Sequence, residues 1–458
     1  MCKNTKVVAI PSQKSSDFSH PTLFNLSAFG KKPIELRFDL EETSSDGGLL
    51  LLKEVENQIG IIGRLDSCIR DSRNQSYVQH SVSSMLHQRV MQIAAGYEDA
   101  NDCNELRDDK ILQICAGNEK SLASQPTMSR FENLADSKML YNMAYAFVDQ
   151  FIASYPSQPK AIILDCDDTS AITHGDQQLS LFNTYYGDYC YMPLHIYEGL
   201  TGKLITTILK PGRRTKSVNV FAILQRLITY LRHHWPKTII LLRGDSHFCS
   251  KEFMDWSETQ KNVEFVTGIT GNPVLAKLAK TTIESAKQQY IATGKPVKRY
   301  HSFEYKAGSW KHPQRIVVKV EYSSMGENVR YITSSMRCLR AKALYENAYC
   351  ARGAAELRIK EHKTYLNSDR MSCSSFLANQ FRLFLHSAAY VLIHALQSEV
   401  LRGTQFCKST MKTIQLKIIK IAARVKILKT KIQVELPVSF PTRDVFEKSL
   451  GIFYQLRL

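Results

Sequence analysis

Residues 161–170 read "AIILDCDDTS", and this stretch places three carboxylates directly after a run of four apolar residues. An apolar run of this kind, followed by polar residues, indicates a buried strand that carries side chains to the edge of a sheet. Because side chains alternate along a strand, we predict Asp165 and Asp167 on one face and Asp168 on the other. The stretch therefore predicts an α/β fold with a functional site at the end of a strand.

The residues that follow alternate between strand and helix patterns. The predicted elements are the strands 189–199 and 203–212, the helix 217–235, the strand 238–245, the short helix 250–260 and the strand 263–269. Three strands linked by hairpins and followed by crossover helices give a mixed sheet with helices on both faces. Asp245 ends the strand "TIILLRGD", so a second carboxylate emerges at a strand's C-terminal end, where open sheets build their sites.

Changes in residue pattern and composition divide the chain into six predicted segments. They are an N-terminal arm (1–45), a helical domain (46–155), the first part of the α/β core (160–271), a β-rich insertion (272–340), the last helices of the core (341–400) and a basic C-terminal segment (401–458). The helical domain shows apolar residues at three- and four-residue spacing, and the insertion joins polar linker to two strand-like runs. In the last segment, residues 407–431 are rich in Lys and Arg and lack acidic residues, which favours a phosphate-binding edge or a solvated strand pair.

Composition narrows the class of protein. Sixty Lys and Arg residues against 43 Asp and Glu give a formal charge of +17, which favours a polyanionic partner such as nucleic acid, although a solvated basic surface fits as well. The most apolar stretch, 381–397, is too short and too polar to span a bilayer and predicts a core helix. The eleven cysteines form no C-x-x-C pair and are expected to be reduced core residues, and the N-terminus lacks an apolar export signal, so a cytoplasmic protein without a membrane partner is expected.

A second motif lies at "YCARGAAELRIKEHK", residues 349–363. Tyr349, Arg352, Glu356 and Lys363 stand at offsets 0, 3, 7 and 14. At 100° per residue these four side chains fall within a stripe roughly 60° wide on one helix, and Lys360 and Arg370 extend the stripe if the helix continues. A mixed-charge stripe is often only a solvated face.

The spacing Y-x2-R-x3-E-x6-K matches the YREK signature of the DDE transposases of bacterial insertion sequences. The segments "LDCDDTSAITHGDQQ" (164–178) and "LLRGDSHF" (241–248) are similar to those that carry the first two catalytic aspartates of these enzymes. The resemblance extends from about residue 45 to residue 400. It implies an RNase H-like mixed sheet flanked by helices, interrupted by a β-rich insertion and preceded by an all-α N-terminal domain that binds DNA.

The resemblance also implies roles for the acidic residues. Asp167, Asp245 and Glu356 are expected to be the catalytic residues and to hold two Mg²⁺ or Mn²⁺ ions, with Asp165 as the alternative first acid. Carboxylate oxygens suit such ions, and a pair of them can activate one oxygen and stabilise another at the same phosphorus. The expected reactions are hydrolytic strand cleavage at the element ends and transfer of the freed 3′-hydroxyl into target DNA.

The basic residues of the motif are expected to bind DNA. Tyr349, Arg352, Lys360 and Lys363 would contact phosphates, which positions a strand without reading its sequence. Arg130, in the short predicted helix of "QPTMSRFEN" (125–133), could read the terminal inverted repeats or only connect two core helices. The implied partners are double-stranded DNA and a second copy of the chain on that DNA, in a bacterial nucleoid, with no small-molecule cofactor.

Two alternatives remain from the residues. The first is a transposase-derived DNA-binding protein without catalysis. The second is a phosphatase, because an apolar strand followed by D-x-D-x-T and a later G-D resembles the haloacid dehalogenases, with Asp165 as nucleophile and Asp167 as acid/base. That family places another acid about four positions after the G-D, whereas residues 246–250 read "SHFCS".

Overall fold

The structure is a computed structural model that describes residues 24–29, 31–36, 38–213 and 219–456. The predicted arm 1–45 lies largely outside the described residues. Within it, Phe24–Phe29 (β1) and Lys32–Leu36 (β2) pair as an antiparallel ribbon, and Thr43–Ser44 (β3) joins a small sheet of C-terminal strands.

The remaining strands are β4 Ala161–Asp168, β5 Ala171–Ile172, β6 Leu181–Asn183, β7 Asp188–Tyr191, β8 Leu194–Glu198, β9 Leu204–Ile208, β10 Ile239–Gly244, β11 Val263–Ile269, β12 Val297–Tyr305, β13 Gln314–Ser323, β14 Gly326–Ser334, β15 Ala423–Ile427 and β16 Ile432–Glu435. The helices are α1 Leu49–Ile59, α2 Ile61–Asp66, α3 Val82–Ala95, α4 Asp102–Glu105, α5 Lys110–Ala116, α6 Gln125–Glu132, α7 Ser137–Ala153, α8 Val220–His234, α9 Lys251–Glu258, α10 Pro273–Thr293, α11 Ala341–Ala343, α12 Gly353–Lys360, α13 Phe376–Ala395, α14 Met411–Ile414 and α15 Arg443–Leu456. Short 3-10 turns lie at Gln75–Tyr77, Ser246–Phe248 and Cys350–Arg352, and π-helical turns at Leu344–Tyr349, Glu361–Tyr365, Leu396–Val400 and Gln415–Ile419.

The central sheet has eight strands in the order β12-β13-β14-β11-β10-β4-β8-β9. Strands β4, β10 and β11 run parallel, β8 pairs antiparallel with β4, and β9 pairs antiparallel with β8. The part β9-β8-β4-β10-β11 is three hairpin-linked strands followed by two crossover strands, which is the RNase H-like order. The predicted fold class is confirmed.

The insertion differs from its prediction in two ways. Residues 273–293, expected as polar linker, form the 21-residue helix α10. Asn272 accepts a hydrogen bond from the Leu275 amide, Pro273 occupies the first turn, and Gly294 ends the helix in a left-handed conformation. The three strands β12 to β14 continue the central sheet, because β14 pairs antiparallel with β11.

The predicted strand 189–199 is two strands in two different sheets. Pro193 has no amide hydrogen to donate, and the chain bends there between β7 and β8. Strand β7 belongs to a three-stranded sheet in the order β5-β7-β6, whereas β8 lies in the central sheet. The segment after the three aspartates therefore forms a small sheet of its own beside the end of β4.

Helices cover both faces of the central sheet. On one face, Ile162 and Leu164 of β4 pack with α7, α8 and α9. On the other, α13 lies in a core that also contains the N-terminal helices and residues 411–425. The predicted core helix 381–397 is thus confirmed within α13, and the basic residues 407–431 form a helical turn as well as strand β15. Within the described part of the chain, no helix is long and apolar enough to cross a membrane.

The cysteines follow the expectation only in part. The ten described cysteines are free thiols, but Cys338, Cys350 and Cys407 are exposed, so the prediction of core positions is wrong for these three.

Candidate active site

Two carboxylates leave neighbouring strands at the same edge of the sheet. Asp167 lies at the end of β4 and Asp245 directly follows β10, and these strands pair in parallel with Arg243 opposite Asp165. The two side chains are 16% and 32% exposed. Adjacent parallel strands thus bring together two of the three predicted acids.

The Asp245 carboxylate affects the pKa of Asp167. Burial raises the pKa of the Asp167 carboxyl to about 6, the Arg352 guanidinium opposes this, and repulsion from the Asp245 carboxylate adds to it. The backbone amide of Asp168 donates to Asp167 Oδ1 at 3.0 Å, which fixes the orientation of the carboxylate. This edge of the sheet therefore carries an excess of negative charge that a cation would relieve.

Asp245 is held by the turn that follows it. Its Oδ1 accepts a hydrogen bond from the His247 amide at 2.8 Å and begins the 3-10 turn Ser246–Phe248. Gly244 allows this turn to pack against the strand, because a Cβ there would lie 2.7 Å from the Phe248 side chain. The glycine of the "RGD" sequence thus serves the close approach of the turn.

Asp165 and Asp168 are engaged elsewhere. Arg243 donates to both oxygens of Asp165, Nε to Oδ1 at 2.5 Å and Nη2 to Oδ2 at 2.6 Å, in a fully buried pair. Burial raises the pKa of Asp165, and Arg243 opposes that rise. Asp168, on the other face as predicted, accepts from Lys210 Nζ at 2.6 Å. Of the three clustered aspartates, Asp167 is the one whose carboxylate pairs with Arg352, on the helix that also carries Tyr349 and Glu356.

The motif helix, residues 341–365, is not a regular α-helix. It runs continuously through α11, a π turn, a 3-10 turn, α12 and a second π turn, and ends near Leu366. The assumed 100° per residue therefore does not hold throughout, and Arg370 lies beyond the helix and pairs with Glu98 at 2.7 Å. The helix does not continue to Arg370, so the condition for extending the stripe to that residue is not met. π-Helical turns insert an extra residue and are frequent at functional sites.

Arg352 connects the sheet to the motif helix. Its Nη1 donates to Asp167 Oδ2 at 2.7 Å, and its Nη2 donates to Glu356 Oε1 at 2.9 Å. The arginine side chain is 14% exposed, whereas that of Glu356 is 60% exposed. A guanidinium therefore occupies the position between the first and third predicted acids.

Tyr349 lies beside β11, close to the turn that follows Asp245. Its hydroxyl is 3.0 Å from the position that a Cβ on Gly268 of β11 would take, and the Ser246 amide nitrogen is equally close to it. A side chain at Gly268 would push away both the tyrosine and the turn after Asp245. Burial raises the pKa of Tyr349, with a contribution from the Asp245 carboxylate that Arg352 opposes.

Arg243 binds the motif helix in addition to Asp165. Its Nη1 donates to the Ala348 carbonyl at 2.9 Å, so one buried guanidinium joins β4, β10 and the helix. Gly199 leaves room for it, because a Cβ there would lie 2.5 Å from Arg243 Nη2. The role of Arg243 was missed from the sequence, although a charged residue inside an apolar strand signals a buried partner.

Two buried histidines, one on β8 and one in the motif helix, pack against each other near Asp167. His195 stands opposite Asp167 in the β4–β8 ladder. Its ring meets that of His362, in the second π turn, edge to face at 4.9 Å, and both side chains are buried. Burial lowers the pKa of both imidazoles, that of His362 to about 3. Both are therefore neutral packing groups beneath the site.

The remaining predicted basic residues lie in different surroundings. Lys363 Nζ donates to the Ser170 carbonyl at 2.6 Å, in the loop after β4. Lys360 is exposed at the end of α12, one turn after Glu356. Arg130 is exposed on α6, a helix that was predicted, and donates to Thr127 Oγ1 at 3.2 Å. The hydrogen bond described for Arg130 therefore does not link it to the acidic site.

The carboxylates of Asp167, Asp245 and Glu356 are suitable ligands for a divalent cation, but they do not surround a common position. Within the described residues, no three His, Cys, Asp or Glu side chains are close enough to form a metal site together. Asp167 and Glu356 instead share the Arg352 guanidinium, which marks a cation position between them. Carboxylate oxygens such as those of Asp167, Asp245 and Glu356 are the type of ligand that Mg²⁺ and Mn²⁺ prefer.

The chain matches a family model and is similar to a solved transposase structure. A model of the family described as "Transposase DDE domain group 1" matches residues 26–458. No curated protein sequence matches the chain. Among solved structures, the cryo-EM structure of the piggyBac transposase synaptic complex with hairpin DNA is similar at 11% sequence identity, over 82% of this chain and 80% of that chain, with a TM-score of 0.42.

Proposed function

The chain belongs to the transposase DDE domain group 1 family, and from that premise we propose that it is an insertion-sequence transposase of the YREK group. It would cleave DNA strands at the ends of its element with Mg²⁺ or Mn²⁺ and transfer the freed ends into target DNA. Its substrates would be the terminal inverted repeats and the target duplex, bound by two copies of the chain in a bacterial nucleoid.

One observation carries the proposal. Asp167 and Asp245 leave adjacent parallel strands, and Arg352 joins Asp167 to Glu356 at 2.7 and 2.9 Å. Asp167 and Glu356, which are distant in sequence, thus share one guanidinium, and Asp245 follows the strand next to that of Asp167. We assign the catalytic and metal-binding roles to Asp167, Asp245 and Glu356, and a supporting role to Asp165.

The chemistry requires cations at this position. Two bound Mg²⁺ ions supply activation of an attacking oxygen and stabilisation of a departing one at the same phosphorus. Asp167, with its pKa raised to about 6, is ionised near neutral pH and available as a ligand. Glu356, 60% exposed on α12, is free to turn towards Asp167 when Arg352 turns away.

The basic residues of the motif would then hold the strand that is cut. An arginine fork matches a phosphate in two-point contact, so a DNA phosphate is a suitable alternative partner for Arg352. Tyr349 and Lys363 lie on either side along the same helix, and exposed Lys360 extends the cationic face. The helices of 46–155, with Arg130, are the segment that we propose for recognition of the repeats.

A second candidate is a DNA-binding protein of the same family without catalysis. The observation in its favour is that Arg352 already neutralises Asp167 and Glu356. The phosphatase alternative has no such support, because both oxygens of its required nucleophile, Asp165, accept hydrogen bonds from buried Arg243.

Glu356→Gln separates these candidates. The probe is a duplex that carries the inverted repeats bordering the gene, with Mg²⁺ or with EDTA. A transposase should nick it only with Mg²⁺, and the variant should lose nicking while still shifting the duplex in a gel. The matched control is Glu284→Gln on α10, which removes a carboxylate that is 56% exposed away from the motif. A wild type that shifts DNA and never nicks it would support the binder instead.

A further inference from the structure

A small hairpin beside the acidic site displays aromatic rings to solvent. We call residues 181–191, which comprise β6, the tip 184–187 and β7, the aromatic hairpin. Phe182, Tyr185, Tyr186 and Tyr189 are 45, 87, 41 and 57% exposed. Tyr185 meets Tyr186, and Phe182 meets Tyr189, in edge-on pairs with centroids 4.9 and 5.5 Å apart. Four clustered exposed rings are unusual on a surface that has no partner.

The hairpin tip is held in one shape by its own backbone. Asn183 Oδ1 accepts from the Tyr185 amide at 3.0 Å, and the Gly187 amide donates to the Asn183 carbonyl at 2.8 Å. Gly187 has φ +69°, a conformation that suits glycine in such a turn. The tyrosines therefore project from a preorganised turn, which lowers the entropy lost when they bind something.

The hairpin is fastened to the edge of the acidic site. Asn183 Nδ2 donates to the Gly212 carbonyl at 2.5 Å, and a Cβ on Gly212 would lie 2.2 Å from the Leu181 carbonyl oxygen. Asn183 also lines a cleft of about 150 Å³ together with Asp168, Lys210 and His247. The pKa of Tyr186 is raised by burial and by Tyr185, and further by the Asp167 and Asp168 carboxylates. The hairpin is thus anchored at the cleft that contains Asp168, and Tyr186 is near enough to Asp167 for that carboxylate to affect its pKa.

The chemistry of the rings favours nucleic acid as the occupant. Successive aromatic side chains next to cations are the pattern that binds single-stranded DNA, since every base has a π-face to stack on a ring. Exposed Arg213 supplies a cation at the same cleft. Trp310, in the insertion, packs against Tyr305 at 5.5 Å within the insertion core and is not part of the hairpin.

We propose that the aromatic hairpin binds unpaired bases of the DNA strand that enters the acidic site, with Tyr185 and Tyr189 as stacking residues. This inference rests on the proposed function only in that DNA occupies the site. Bases next to the cut would leave the duplex and stack on the rings, while Asp167 and Asp245 face the backbone between them.

Tyr185→Ala tests the proposal, because this ring is 87% exposed and its loss leaves the core intact. The probes are a fluorescent short oligothymidylate and a blunt duplex of unrelated sequence. The dissociation constant for oligothymidylate should rise roughly tenfold, in keeping with the loss of one stacked base, while that for the duplex stays within about twofold. Tyr185→Phe keeps the ring and should bind as the wild type does. Tyr77→Ala removes another tyrosine, 84% exposed, and should change neither constant.

Other results would overturn the proposal. If Tyr185→Ala and Tyr189→Ala bind oligothymidylate as tightly as the wild type, the hairpin is not a base-binding site, whereas Mg²⁺-dependent nicking lost in Glu356→Gln would leave the proposed function intact. If the variants instead shift the sedimentation of the protein from dimer to monomer with unchanged oligothymidylate binding, the rings join two copies of the chain. A wild type that binds neither probe would reject both proposals.

Discussion

Arg352 donates a hydrogen bond from Nη1 to Oδ2 of Asp167 at 2.7 Å, and both side chains are nearly buried, at 14 and 16% exposure. An ion pair that is shielded from water to this degree is stronger than one at the surface. Because the same guanidinium also binds Glu356, the free protein neutralises its acidic site with its own cation. DNA phosphate and metal ions would then act together, the first by attracting Arg352 and the second by replacing it.

Arg352→Gln is expected to separate metal binding from DNA cleavage. Loss of the guanidinium leaves Asp167 and Glu356 uncompensated, so Mn²⁺ should bind the DNA-free protein at least roughly tenfold more tightly, as isothermal titration or electron paramagnetic resonance can measure. Nicking should nevertheless fall, because the phosphate contact is lost. Arg358→Gln, which removes a cation that pairs with Glu361 on the same helix, is the control. Weaker Mn²⁺ binding by Arg352→Gln would contradict this role for the arginine.

Asp165→Asn is expected to destabilise the fold rather than to alter the metal site directly. It leaves the buried Arg243 guanidinium without an anionic partner, which costs about 3 to 5 kcal/mol of unfolding free energy. The double variant Asp165→Leu with Arg243→Met should recover much of that loss, because no uncompensated charge remains. Urea unfolding of the wild type, Asp165→Leu, Arg243→Met and the double variant measures the coupling. If folded Arg243→Met binds Mn²⁺ and the folded double variant does not, Asp165 is a metal ligand after all.

Apolar runs and the residues that follow them predicted the elements of the core. The strands β4, β10 and β11 appear where the sequence places them, and Asp167 and Asp245 lie at their ends. The partner of Arg243 could not be chosen from the sequence, because Asp165, Asp167 and Asp168 stand together in the chain and each could pair with an arginine. The register of β4 against β10, a tertiary property, makes that choice.

Two local predictions failed for different reasons. Helix α10 had its signals in the sequence, with a capping Asn272, a following Pro273 and a terminal Gly294, but its polar residues were interpreted as linker. The π turns of the motif helix had no such signals. They depend on what the helix packs against, for example Tyr345 on Tyr300 and His362 on His195, and these contacts join residues that are distant in sequence.

His362→Phe is expected to make the protein less sensitive to acid. The pKa of His362 is lowered to about 3 in the fold, so its contribution to stability is complete above pH 6.5 and is lost as the pH falls from 6.5 towards 3. Between pH 6.5 and 5 the wild type should therefore lose about 2 kcal/mol more unfolding free energy than the variant. Phenylalanine keeps an aromatic ring against His195. Urea titrations at both pH values would refute the prediction if the two proteins lost equal stability.

Lys360→Ala is expected to weaken DNA binding uniformly. Lys360 is exposed one turn after Glu356, so it can reach a phosphate without disturbing the packing of α12. Removal of one phosphate contact should reduce the slope of log affinity against log salt by about 0.9, for repeat and for unrelated duplexes alike. Lys448→Ala, at a lysine 69% exposed on α15, is the control and should keep the slope. A slope that is unchanged in Lys360→Ala would mean that this lysine belongs to a solvated helix face, because a cation that displaces no counterions contacts no phosphate.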